Sequence, residues 1–184
     1  MTQSNPVRRH ALRLRDHDYS QAGMYFVTAC TQGRACLFGE VIDGEMHVND
    51  AGKAVQAVWH KLPEHYRPIA LDEFVVMPNH MHGIIVMHPA GAGLKPAPCM
   101  LEASSEIMRA FKTFSSRHIN QIRQTPGNQI WQRSFWDRII RNEDELNRIR
   151  EYIQNNPAQW TLDRLHPQSS WAGDRNGNVR AGRV

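Results

Sequence analysis

The stretch Phe74-Val75-Val76-Met77-Pro78-Asn79-His80-Met81-His82-Gly83-Ile84-Ile85-Val86 constrains the fold more than any other part of this chain. It holds two apolar, β-branched runs with only Pro78-Asn79 between them. A break that short joins antiparallel neighbours, because parallel strands need a long crossover. Side chains alternate along a strand, so His80 and His82 share one face while Met81 points to the other. Two imidazoles side by side on a stiff backbone pack poorly and make half of a metal site.

The other elements can be placed around this pair. Met24-Tyr25-Phe26-Val27-Thr28-Ala29-Cys30 reads as a strand. Glu40-Val41-Ile42 and Glu45-Met46-His47-Val48 flank the hairpin signal Asp43-Gly44. A helix is predicted from Ala51 to Leu62, opened by Asp50 and closed by Pro63, with Val55, Val58, Trp59 and Leu62 facing the core. After a Pro/Ala/Gly connector over 88–103, a second helix is expected from Ser105 to Gln124. Ile107, Phe111, Phe114 and Ile122 would form its buried face, with His118 on the apolar side. Residues 129–141 read as a strand with arginines among aromatics. Asn142 and Glu145 form a capping box for a last helix that ends at Pro157 and buries Leu146, Ile149 and Ile153. This order describes an α+β protein, helices against an antiparallel sheet.

Of the 22 basic residues only Lys53, Lys61, Lys95 and Lys112 are lysine. Arginine matches phosphate oxygens bidentately, so the bias fits a phosphate-bearing partner, and it fits an arginine-rich genome equally well. Arg109, Lys112, Arg133, Arg138 and Arg148 are the candidate nucleic-acid contacts. A solvated face would carry the same charges, and Trp131, Phe135 and Trp136 suit base stacking or plain core alike. Three cysteines without a Cys-x-x-Cys spacing argue against a structural zinc site or a disulfide framework. No apolar run is long enough to span a bilayer, and no signal peptide is visible, so a cytoplasmic protein is expected. Residues 1–22, with Arg8, Arg9, Arg13 and Arg15, read as a basic arm, 23–162 as the folded domain and 163–184 as a disordered tail.

On the last helix Tyr152 lies beside the buried stripe, with Arg148 one turn before it and Asn156 one turn after. From the helix alone this is an ordinary boundary tyrosine. Taken together, Tyr25-Phe26-Val27-Thr28, Met77-Pro78-Asn79-His80-Met81-His82 and Tyr152-Ile153-Gln154-Asn155-Asn156-Pro157 resemble the HUH-type single-tyrosine transposases, and among them the REP-associated tyrosine transposases. The resemblance covers residues 20–160. It implies a ferredoxin-like sheet with helices packed on one face and the catalytic helix over the central strand. It implies a nucleophile at Tyr152 and a divalent metal, Mg2+ or Mn2+, on His80, His82 and Asn156. It implies cleavage and rejoining of single-stranded DNA at hairpin-forming repeats through a 5′-phosphotyrosine, by a monomer or a homodimer. Arg148 would then assist the phenolate or the phosphate.

Two other readings fit the same residues. One is a DNA-binding regulator of repeats that does not transpose. The other is a metal-dependent hydrolase on His80 and His82 with His65 or His88, in which Tyr152 is incidental.

Overall fold

A computed structural model describes residues 23–66, 69–88 and 100–169. The basic arm, most of the 88–103 connector and the chain beyond 169 lie outside the described residues. The main sheet has four antiparallel strands in the order β4-β5-β1-β6: β1 Gly23–Cys30, β4 Ile69–Met77, β5 His80–Met87 and β6 Trp136–Ile140. Two further strands, β2 Gly39–Ile42 and β3 Glu45–Val48, form a separate hairpin, and left-handed Asp43 and Gly44 make its turn. The helices are α1 Asp50–His60, the single turn α2 Leu62–His65, α3 Met100–Arg123 and α4 Glu143–Asn155. Without the hairpin, α2 and α4, the order β1-α1-β4-β5-α3-β6 is ferredoxin-like.

Alternation divides the sheet into two faces with different tasks. Tyr25, Val27, Ala29, Met81 and Ile85 belong to the larger core with Val55, Val58 and Trp59 of α1 and Ile107, Met108 and Phe111 of α3. Trp59 lies so close over β5 that a Cβ at Gly83 would stand 2.5 Å from its ring, so this backbone approach requires glycine. On the other face Phe26, Ile84 and Ile140 meet Leu146, Ile149 and Ile153 of α4. Helices α1 and α3 thus pack on one face, and among the described helices α4 alone covers the histidine face, over the central strands.

Four local expectations need correction. Asn49, not Asp50, caps α1, its side chain accepting from the Gly52 N–H at 3.0 Å, and Pro63 opens α2 instead of closing α1. The strand read across 129–141 is confined to β6, with one isolated bridge between Thr31 and Trp131 before it. Phe114 and Ile122, expected inside, are each 48% exposed, and His118 is exposed as well. The buried line of α3 instead runs Ile107, Phe111, Ser115, Ile119. Ser115 disguised it: its hydroxyl donates to the Phe111 carbonyl at 2.6 Å and accepts from the Trp131 indole N–H at 2.9 Å. A small, fully satisfied serine thus makes room for a large ring from another segment.

Candidate active site

The site is built on the α4 face, at the end of the sheet where β1 finishes and β5 begins. Register sets Thr28 opposite His82 and Cys30 opposite His80, so all four side chains share that face. Both imidazoles are buried, with ring centroids 4.6 Å apart. His80 Nδ1 lies 2.8 Å from Asn79 Oδ1. The Asn79 amide is oriented by its own NH2, which donates to the carbonyls of Arg34 (3.2 Å) and Leu165 (2.7 Å). Its oxygen must then accept, so His80 carries its proton on Nδ1 and leaves a lone pair on Nε2. His82 is held by the Thr28 hydroxyl, 2.7 Å from its Nδ1.

The α4 helix brings the second half. Asn142 caps it, accepting from the Glu145 N–H at 2.8 Å, while Glu145 accepts from the Arg141 N–H at 2.9 Å. Midway along, Arg150 grips Asp72 with a two-pronged contact of 2.9 and 2.7 Å, and Gln154 donates to Glu73 at 2.8 Å. Asp72 and Glu73 sit where the β4–β5 register shifts, so the bulge turns two edge acids into a clamp for the helix. With its stripe buried and its flank clamped, α4 lays the half-buried Tyr152 against His82, hydroxyl to Nε2 3.2 Å. Phe26 stands edge-on to the phenol at 6.1 Å. Asn156, at the end of the helix, is buried on the same side.

Past α4 the chain makes a 3-10 turn, Trp160–Leu162, and folds back over the site. Asp163 and Leu165, which the sequence placed in the tail, are packed here: Leu165 is buried, and Asp163 Oδ2 lies 3.8 Å from His80 Nε2 and 3.2 Å from Asn156 Nδ2. The donor atoms of His80, His82 and Asp163 all lie within 4.8 Å of one another. His80 Nε2 and Asn156 Oδ1 are buried without a hydrogen-bond partner. Buried polar atoms without partners are costly, and these two share the side where the other donors gather. This set of imidazole nitrogens and amide and carboxylate oxygens fits a divalent cation.

Burial dominates the electrostatics. Removal from water holds the His80 imidazole down at about 3 and His82 well below its ordinary value, where the neighbouring His80 adds to the effect. Burial likewise raises the Tyr152 phenol, Asp163 raises it further, and the Asn156 side chain and then Arg164 pull it back in part. Cys30 is pushed up to about 12, chiefly by burial, and stays a neutral thiol.

The four core candidates, Tyr152, His80, His82 and Asn156, converge; the basic candidates do not. Arg148 is exposed and lines a cleft of about 190 Å³ with Arg138 and Arg141, a lining that does not include Tyr152. Arg138 is engaged by Glu145. Lys112, read as a nucleic-acid contact, turns inward to donate to the carbonyls of Gln132, Arg133 and Ser134. Arg109 and Arg133 remain exposed and line a groove of about 440 Å³ between α3 and residues 129–135. Asp163, Thr28, Asn79 and Arg164 were missed. Asn79 stands in the Met-Pro-Asn-His block, but nothing in the sequence links Asp163 to it.

A ferredoxin-like sheet with two buried histidines under a helix-borne tyrosine places this chain in a definite class of α+β proteins. The sequence matches the family described as Transposase IS200 like over residues 25–156. The chain belongs to that family. A Haemophilus influenzae protein described as uncharacterized is 36% identical over 172 residues, spanning 86% of this chain and 93% of its own length. A second protein of that organism, provisionally described as a REP-associated tyrosine transposase, is 22% identical over 144 residues, 77% of this chain and 74% of the relative. Among solved structures, a REP-associated tyrosine transposase bound to a REP hairpin superposes with a TM-score of 0.52 at 21% identity, covering 88% of this chain and 92% of that one. That likeness is one of fold.

Proposed function

We propose that this chain cleaves and rejoins single-stranded DNA at hairpins of palindromic repeats, with Tyr152 as nucleophile beside a divalent metal, Mg2+ or Mn2+, held by His80, His82 and Asn156. The observation that carries the reading is the Tyr152 hydroxyl 3.2 Å from His82 Nε2, over the floor where the two imidazoles meet. Family membership and the REP hairpin held by a structure of the same fold support the choice of substrate. The cytoplasm, where DNA is accessible and thiols such as exposed Cys36 stay reduced, is the fitting compartment. No helix among the described residues is long and apolar enough to cross a membrane.

In this reading the Tyr152 oxygen attacks the scissile phosphorus, the bond to the 3′ oxygen breaks, and the products are a 5′-phosphotyrosine and a free 3′-hydroxyl. Attack by that hydroxyl reverses the step, so rejoining needs no outside energy source. A bound divalent cation would supply positive charge to polarise the phosphate and ease loss of the phenolic proton. The chain's own part is positioning: Thr28 and Asn79 fix the imidazoles, and the Arg150–Asp72 clamp fixes α4. Tyr152 lies over its own chain's histidines, which supports a site complete within one monomer. Arg109 and Arg133, flanking the groove beside Phe135, are the contacts best placed to follow a DNA strand.

The hydrolase reading loses the third histidine it called on. His65 and His88 are both exposed, and His88 follows the far end of β5, roughly 25 Å from His80 at the rise of a strand.

The test is incubation with labelled single-stranded hairpin DNA and Mn2+, followed by a denaturing gel. The wild type should form a covalent adduct and Tyr152→Phe none. An adduct that persists in the variant sinks the proposal, and binding without cleavage by the wild type turns the reading toward a repeat-binding regulator.

A further inference from the structure

We infer that Asp163 is a direct, anionic ligand of the metal, joining the two histidines and Asn156. The inference rests on the metal-dependent reading above and adds a residue from beyond the stretch that matches the family, which ends at 156.

The first support is a conflict between lone pairs. His80 carries its proton on Nδ1, so the atom 3.8 Å from Asp163 Oδ2 is an unprotonated nitrogen. A lone pair facing a carboxylate oxygen in a buried site is repulsive, and a cation between them turns both into ligands. The Asp163 side chain is only 6% exposed, so bulk solvent screens the pair little. Donors about 2.1 Å from a common ion stand roughly 3.0–3.5 Å apart, so the pair needs to close by only a few tenths of an ångström.

The second support is that Asp163 is held in place by groups that leave it a free lone pair. The Leu165 N–H donates to Oδ1 at 2.6 Å, and the Asn156 NH2 donates to Oδ2 at 3.2 Å. With its NH2 given to Asp163, Asn156 turns its partnerless Oδ1 elsewhere in the buried site. Asn79 completes the arrangement, since one amide fixes the His80 proton and also grips the Leu165 carbonyl, two residues from Asp163. The chemical consequence concerns metal choice. Two imidazoles and an amide oxygen favour softer ions, whereas a carboxylate moves the site toward Mg2+ and Mn2+.

The test uses Mn2+ alone with the full chain, without DNA, so that binding is read apart from cleavage. In calorimetric titration Asp163→Asn should bind Mn2+ at least about 10-fold more weakly than wild type, while Zn2+ affinity falls less. Equal Mn2+ affinity in the two proteins overturns the inference and leaves the metal-dependent reading intact. No Mn2+ binding by the wild type overturns both. Because Asp163→Asn could misfold, wild type grown with 13C-carboxyl aspartate provides an independent measurement. Pulsed EPR of its Mn2+ complex should show a 13C coupling of the size only a bound carboxylate gives, and its absence overturns the inference. Asp163 is the one aspartate in the donor cluster of the described residues.

Discussion

Lowering the pH from 7 to 5 should weaken the metal-free fold through its two floor histidines. In the unfolded chain a histidine titrates near 6.5; in the folded one burial holds His80 at about 3. Below 6.5 the unfolded state takes up a proton that the folded state refuses, so stability falls as pH drops and continues to fall until about 3. The slope approaches 1.4 kcal/mol per pH unit, which gives a loss of about 2 kcal/mol between pH 7 and 5 from His80 alone. His82 shifts in the same direction and adds to the loss. Against the roughly 5–15 kcal/mol that hold a domain together, this is a large fraction. The assay is urea denaturation at several pH values with a chelator present, for the wild type and for His80→Gln. The variant should start less stable but show a pH profile flatter by about 2 kcal/mol over this range. A wild-type profile flat between 7 and 5, or equal slopes in the two proteins, would refute the account of a dry, neutral histidine floor.

Three other outcomes follow from the packing around the site. Asp72→Asn should cost about 1 kcal/mol and lower the melting temperature by a few degrees, since it opens a two-pronged, partly exposed ion pair. Arg150 holds the Asp72 carboxyl below its usual range, so that contribution is present above about pH 4 and lost as pH falls through the lowered value. Gly83→Ala should destabilise by about 1–3 kcal/mol in thermal melts, because the new methyl meets the Trp59 ring at 2.5 Å. Lys112→Ala should lower the melting temperature and leave the salt dependence of single-stranded DNA binding unchanged. Arg109→Ala should do the reverse, reducing the slope of log K against log salt by roughly 0.7 if one phosphate contact is lost.

The parts of the fold that follow from local rules were legible in the sequence. Strand alternation put His80 and His82 on one face, two residues between β4 and β5 forced an antiparallel pair, and the capping box with its three apolar residues located α4. The resemblance then joined Tyr152 and Asn156 to the histidines. What was not legible depends on partners distant in sequence. A lysine that caps three carbonyls and a lysine that meets phosphate look alike until the segment 132–134 folds against it. Ser115 hides a core line because its partner is an indole from another segment. Asp163 follows the last periodic helix in a polar stretch, where composition reads as tail. It reaches the site through a chain reversal held by the Asn79 hydrogen bond to the Leu165 carbonyl, the Asn156 bond to Asp163 and burial of Leu165.

That reversal also bears on the order in which the ribosome makes the site. Both strands of the floor, β1 and β5, are complete before α3 is begun, whereas Tyr152, Asn156 and Asp163 are among the last of the described residues to be synthesised. A growing chain therefore carries its histidine pair through the synthesis of α3 and β6 with no phenol above it and no carboxylate beside it. If Tyr152 is the cutting group, a chain that stops short of α4 carries the histidine floor without the nucleophile.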